Sequence, residues 1–366
     1  MNPSLPPLPL PDAIRSSLVD SVNGLTMHTL EAGERGKPVL LLLHGFPELA
    51  FSWRGVMPAL AAAGYHVIAP DLRGYGRTTG WSGDYDADIR PFGFMNLVKD
   101  LVALLDRLGI ERVHCLIGHD FGSPLAAYAA LTRPDLFRRL VMMSAPFAGA
   151  PGLGGEAGSI HADLLALDPP RKHYQWYYAE RGANTDILSC SEGLGHFLRA
   201  YYHAKSADDA ANEPVPLAGW SAGELASLPL YYMMRADQTM PQSVAPRMPS
   251  ALDCRWMSAE ALDVYTLEYA RTGFQGGLNW YRCSTSPTYR AEYALFYGKP
   301  ISIPCWFIAG RADWGIYQSP GAFERMQSRA TQDFRGVRLI DHAGHWVQQE
   351  QAAATASHLI DIAAAP

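Results

Sequence analysis

Hydrophobic positions in this chain fall into short runs whose period alternates between that of a strand and that of a helix. Residues 17–22 and 25–30 flank Asn23-Gly24, a pair suited to the positive φ angles of a two-residue turn, and so predict an antiparallel hairpin. Residues 38–43 are apolar on both faces, as a strand buried between helical layers must be. A strand at 67–69, a helix over 96–108, a strand at 113–117, a helix over 124–131 and a strand at 139–143 follow. Such alternation predicts a mostly parallel sheet with right-handed crossovers.

The alternation stops after Pro146 at a Gly-rich stretch, 149–158, and resumes with a strand at 301–309, a helix over 320–329 and a strand at 337–340. The reading is therefore a Pro-rich tail over 1–15, an α/β core made of 16–146 and 299–366, and an inserted helical domain over 147–298. The insert holds 13 of the 18 tyrosines, well above its share of the length, together with Trp176, Trp220, Trp256 and Trp280. That excess predicts a lid shaping an apolar pocket.

Composition narrows the function classes. Thirty Lys and Arg against 36 Asp and Glu give a net charge of −6, so no cationic surplus exists to neutralise a phosphate backbone. No window approaches the roughly 18 apolar residues of a membrane span, and the N-terminus has no positive charge ahead of an apolar stretch. The chain is expected to be cytoplasmic, with neither nucleic acid nor membrane as partner. Five scattered cysteines without a C-x-x-C pair, and histidines without a metal-ligand spacing, predict no disulfide framework, no metal and no cofactor.

The sharpest chemical signal is Gly118-His119-Asp120-Phe121-Gly122 between a buried strand and a helix. Small residues two before and two after position 120 allow a tight strand-to-helix turn that lifts one side chain above the sheet, a nucleophile elbow carrying an aspartate. Asp313 after the 301–309 strand and His345 after the 337–340 strand complete the order nucleophile, acid, histidine, all at carboxyl ends of strands. Asp341 competes as the acid, but Asp313 comes from a separate loop that can approach the imidazole from behind. In His44-Gly45-Phe46-Pro47-Glu48 the Phe46 amide, with that of Phe121, would form a two-donor oxyanion hole. Arg73-Gly74-Tyr75-Gly76 would line the same rim.

Together with Ala343-Gly344-His345-Trp346, these segments resemble the epoxide hydrolases of the α/β-hydrolase superfamily. The resemblance covers nearly the whole chain beyond the tail. It implies an α/β-hydrolase fold: a mostly parallel central sheet flanked by helices, with a mainly helical cap inserted after the sixth strand. Asn279-Trp280-Tyr281-Arg282 and His173-Tyr174-Gln175 resemble the cap segments that supply the two ring-opening tyrosines, which makes Tyr281 and Tyr174 the acid pair. Trp280, Trp346 and Phe121 are expected to touch substrate. Two departures stand out: Phe121 occupies a position where Trp is common, and the cap is long.

An aspartate changes the chemistry of the elbow. A carboxylate with a reference pKa of about 3.9 is ionised at neutral pH and attacks without a base, so its target is a saturated carbon bearing a leaving group. His345, oriented by Asp313, is then free to activate water against the resulting ester. An epoxide oxygen leaves as a tethered alkoxide that needs a phenolic donor, whereas a halide needs N–H donors that Phe121 cannot offer. Hydrolysis of a small hydrophobic epoxide to a vicinal diol, by the chain alone or as a homodimer, is the first expectation. A haloalkane or haloacid dehalogenase is the alternative, and a non-catalytic ligand-binding protein of the same fold is the alternative of another class.

Overall fold

The buried runs of the sequence become strands of a single sheet in the computed structural model, which describes residues 5–152, 160–250 and 254–366. Strands β1 (Ile14–Val22) and β2 (Leu25–Ala32) form the hairpin, turning through Asn23 and Gly24 at φ 48° and 84°. Next come β3 (Val39–Leu43), β4 (His66–Pro70), β5 (Cys115–His119), β6 (Leu140–Met143), β7 (Ile301–Gly310) and β8 (Thr331–Ile340). Their order across the sheet is β1-β2-β4-β3-β5-β6-β7-β8. Only the β1–β2 and β2–β4 pairs are antiparallel.

Alternate residues of the central strands feed two cores. Leu41, Leu43, Leu116, Leu140 and Met142 join one cluster, while Leu40, Leu42, Ile117, Val141 and Met143 join the other. Burial of both faces is why these strands read as unbroken apolar runs. The first cluster continues into the tyrosines between β6 and β7, so this long segment shares its hydrophobic interior with the sheet. The segment is mainly helical, with a two-stranded antiparallel ribbon of Arg171–His173 and Met233–Arg235. Part of the Gly-rich stretch, 153–158, and the first four residues of the tail lie outside the described residues. No helix among the described residues is long and apolar enough to cross a membrane.

Two elements depart from the sequence reading. Strand β5 starts at Cys115 and ends at His119 rather than spanning 113–117; Gly118 and His119 pair with Met142 and Met143, and Val113 makes only an isolated bridge to Phe137. The helix expected over 320–329 is a short turn, Ala322–Arg325, followed by a π turn, Met326–Ala330, that runs straight into β8. That strand begins six residues earlier than expected because Gly336, at φ 145°, and a register shift beside it break the period of two.

The loops above the sheet are pinned by Asp71, just after β4. Its carboxylate accepts from the Ala50 amide (2.8 Å), the Arg77 amide (2.9 Å) and His28 Nδ1 (2.7 Å). Burial pushes its pKa up, but the His28 charge and these donors outweigh burial and hold it at about 2, below the ordinary 3.8. A depressed folded pKa adds stability that is complete above the unfolded value and lost as pH falls from about 4 towards 2, here worth about 2 kcal/mol. Urea midpoints are therefore expected to drop between pH 5 and pH 3. The slope should flatten in Asp71→Asn, which starts less stable; an unchanged slope would remove Asp71 from the acid response.

Candidate active site

Strand β5 delivers Asp120 into a turn at φ 51°, a left-handed conformation that a non-glycine residue holds only where its surroundings enforce it. A Cβ at Gly118 would overlap the Gly122 carbonyl, and one at Gly122 would overlap the Leu43 carbonyl. Glycine at both positions is thus what lets the strand, the turn and the helix Gly122–Thr132 stack so closely. Gly45 is required for the same reason: a Cβ there would occupy the space of the Asp120 side chain.

The carboxylate of Asp120 is 9% exposed and its two oxygens face different partners. Oδ1 accepts a 2.9 Å hydrogen bond from the Phe46 amide. Oδ2 stands 3.3 Å from His345 Nε2, which makes no aligned hydrogen bond. The other imidazole nitrogen, Nδ1, meets Asp313 Oδ1 at 3.0 Å, and the same oxygen accepts from the Gly315 amide at 2.7 Å. Asp341 instead pairs with Arg311 on the surface, leaving Asp313 as the carboxylate behind the histidine.

Electrostatics follow from this packing. Burial opposes ionisation of Asp120, yet the His345 imidazole beside it and the Lys205 charge hold its pKa far below the usual carboxylate range. Burial also opposes ionisation of Asp313, and the charge of His345 reverses it. For His345 itself, burial and Lys205 pull the pKa down, but Asp313 and Asp120 outweigh them and leave it above the ordinary histidine value. The two carboxylates flanking His345 therefore favour its protonated form, and its positive charge in turn favours their ionisation.

Several residues that sequence reasoning missed hold this constellation. His119 bonds Glu48 Oε2 through Nδ1 (2.7 Å) and the His345 carbonyl through Nε2 (2.7 Å), so both ring nitrogens face acceptors. Glu48 also accepts from the side-chain amides of Gln348 (2.8 Å) and Gln349 (2.9 Å). Glu350 accepts from the Gly344 and Trp346 amides, clamping the loop on either side of His345. His44 donates from Nδ1 to the Gly45 carbonyl and accepts from the Leu72 amide, which fixes the Phe46 loop to β4; burial lowers its pKa and keeps it neutral. Glu48 and His119 both lie inside motifs legible in the sequence, but their pairing is a tertiary fact.

The two tyrosines lie within reach of the Asp120 charge. Tyr174 heads the helix Tyr174–Ala179 and Tyr281 sits within Gln275–Thr285; the rings meet edge to face with centroids 5.8 Å apart. Burial, then the Asp120 charge, raises the Tyr174 pKa well above 10, and burial with Tyr174 and Asp120 does the same for Tyr281. Both phenols stay protonated and the field of Asp120 reaches both. They are not equivalent: the Tyr174 hydroxyl donates to Gln318 Oε1 at 2.9 Å, whereas the Tyr281 hydroxyl has no hydrogen-bond partner among the described residues. Phe121 and Phe46 complete the apolar wall, with ring centroids 4.6 and 5.3 Å from Tyr281.

Trp280 packs edge-on behind Phe121 and spends its indole N–H on the Arg73 carbonyl (3.0 Å). Trp346 is 0% exposed, packs on His345 and donates to the Tyr202 carbonyl (2.8 Å).

The helix of Tyr281 can approach because Gly276 lies directly on Gly74, backbone against backbone, and Gly277 against Phe46 and Tyr75. A methyl group at 276 would collide with the Gly74 main chain, so Gly276→Ala must displace the helix. Since a displacement of about 1 Å can cost on the order of a hundredfold in rate, kcat/KM on an epoxide is expected to fall tenfold or more with secondary structure retained. Full activity with an unchanged circular dichroism spectrum would show that the contact is not needed.

The site is almost sealed. A surface cleft of about 740 Å³, lined by Asn212, Trp256, Ala312 and Glu350 among others, includes neither Asp120 nor His345. Among the described residues no cluster of three or more His, Cys, Asp or Glu is placed to hold a metal ion.

An aspartate elbow, a histidine backed by a second carboxylate, and an eight-stranded sheet with antiparallel strands at one edge define a hydrolase of the α/β-hydrolase fold, and residues 38–165 match the family described as alpha/beta hydrolase fold. The chain is 35% identical over 351 residues to epoxide hydrolase A of Mycobacterium tuberculosis, covering 94% of this chain and 95% of the relative. It is 30% identical to epoxide hydrolase 2 of Siraitia grosvenorii, covering 93% and 96%. Among solved structures, an epoxide hydrolase from an endophytic Streptomyces superposes with a TM-score of 0.77 at 29% identity, covering 96% of this chain and 95% of that one. Epoxide hydrolase A of Mycobacterium thermoresistibile gives 0.75 at 33%, covering 95% and 97%. The chain belongs to the epoxide hydrolase family.

Proposed function

We propose that this protein opens small hydrophobic epoxides to vicinal diols through a covalent ester on Asp120, beneath a cap formed by residues 147–298. What supports the reading is an ionised aspartate whose charge acts on two protonated phenols, one of them without a hydrogen-bond partner among the described residues. With Oδ1 held by the Phe46 amide, Oδ2 is the attacking atom. A bond forms between Oδ2 and one epoxide carbon while the ring C–O bond breaks. The departing oxygen takes a proton from Tyr281 or Tyr174. Esterification removes the charge of Asp120, and water deprotonated by His345 Nε2 attacks the ester carbonyl carbon. Oδ1 carries the developing oxyanion towards the Phe46 and Phe121 amides, each such donor being worth about 3 kcal/mol. Collapse breaks the Cγ–Oδ2 bond, the leaving alkoxide takes the proton from His345, and the remaining water proton returns to the tyrosinate, which releases the diol and regenerates the carboxylate.

The dehalogenase alternative needs N–H donors for a halide. Position 121 is phenylalanine, and the neighbouring indole of Trp280 is committed to a backbone carbonyl. The decisive experiment is a single turnover in ¹⁸O-labelled water with enzyme in excess over a styrene-type epoxide. Label is expected in the Asp120 carboxylate by peptide mass spectrometry; label in the first-formed diol would exclude the covalent route. Halide release from haloalkanes without diol formation from epoxides would favour the alternative.

A further inference from the structure

Lys205 ends the helix Leu194–Ala204, and its carbonyl accepts the His345 amide at 2.8 Å. The residue is 3% exposed. Its ammonium lies among four rings, with Nζ to centroid distances of 4.8 Å for Tyr232, 5.3 Å for Trp346, 5.4 Å for Tyr201 and 5.8 Å for Tyr231. Among the described residues no carboxylate stands within ion-pairing distance of Nζ, and Nζ makes no hydrogen bond. Taking an ammonium out of water without an ion pair is costly, and methionine would fill an aromatic cage without that cost. The charge therefore needs a use beyond packing.

Its surroundings suggest that use. Trp346, over which the ammonium sits, packs against His345 with ring centroids 4.7 Å apart. The charged or titratable groups around His345 are the carboxylates of Asp120 and Asp313, the His119 ring at 5.1 Å with Glu48 behind it, Glu350 beneath the loop, and, across the Trp346 ring, Lys205. In the resting site the two nearest carboxylates dominate and favour a protonated imidazole. Once Asp120 is esterified one of those charges is gone, while Lys205 remains and repels a proton on His345.

We propose that Lys205 is a positioning residue that acts through its charge, keeping His345 unprotonated in the esterified enzyme so that it can accept a proton from water. The inference rests on the covalent reading given above. It is tested by following decay of the alkyl-enzyme by quenched flow and intact-protein mass spectrometry between about pH 5 and 9, in the wild type, Lys205→Met and Lys205→Arg. In Lys205→Met the acid limb of the decay rate is expected to move up by about one pH unit, so that decay near pH 6 slows about tenfold, while the rate at high pH stays within a few-fold. Lys205→Arg should keep the wild-type limb. A slower plateau with an unmoved limb would assign Lys205 to the scaffold and overturn the proposal, as would an arginine variant that shifts as far as methionine. Lys205→Gln carries the same test if the methionine variant does not fold, and loss of fold in both also overturns it. Absence of any alkyl-enzyme in the wild type sinks the covalent reading itself, whereas a wild-type ester with an unshifted variant sinks only the role of Lys205.

Discussion

His345→Ala is expected to consume one equivalent of epoxide and then stop. Attack by Asp120 needs no base, because its carboxyl is ionised far below neutral pH even with burial opposing it. Hydrolysis of the proposed ester would need one, and His345 Nε2 stands 3.3 Å from Asp120 Oδ2 in the resting site. General-base catalysis of this kind contributes about 10²–10⁴ in rate, so diol release should fall by at least that factor. Intact-protein mass spectrometry should then show nearly all of the enzyme carrying the mass of the substrate. Steady diol production at the wild-type rate would mean that some other group activates the water. A variant that never gains mass, under conditions where the wild type does, would mean that the imidazole also takes part in attack.

The second large effect is expected from the phenols. In the Tyr174→Phe, Tyr281→Phe double variant the ring oxygen would depart as a bare alkoxide in a nearly sealed apolar site. Each donor to developing negative charge is worth about 10²–10³ in rate, so alkylation should fall by about 10⁴ or more. The single variants should differ. Tyr281 is free to donate, whereas Tyr174 must first give up its bond to Gln318. Tyr281→Phe is therefore expected to be the more damaging of the two, and Gln318→Ala should narrow the gap by releasing Tyr174. Rapid-mixing measurement of alkylation distinguishes these cases. Unchanged alkylation in the double variant would remove both tyrosines from the chemistry.

How much of this was legible beforehand depended on whether the information was local. The Asn23-Gly24 turn, the unbroken apolar run of β3 and the Gly-x-Asp-x-Gly elbow are written within a few residues, because turn chemistry and two-sided burial act at that range. Asp313 and His345 could be placed by chain order and by their positions at strand ends. The Glu48–His119 pair, the Gln318 acceptor and the caged ammonium of Lys205 could not, since each joins elements far apart in the chain and none has a spacing signature. Sitting next to a catalytic-type residue in sequence does not mean facing the same way, and on a helix adjacent residues such as Trp280 and Tyr281 point about 100° apart. Strand β8 was cut short because a single glycine hid its period.

The bare main-chain crossing of Gly74 and Gly276 decides where this enzyme can be re-tailored. With no side-chain atoms between them, the two segments have nothing to trim and no room to add, so the wall behind Tyr281 is a fixed datum. New substrate shapes would have to be accommodated through its neighbours, where whole side chains such as Tyr178, packed on Tyr281 at 4.9 Å, and Tyr232, packed on Tyr174 at 5.1 Å, can be exchanged for smaller ones.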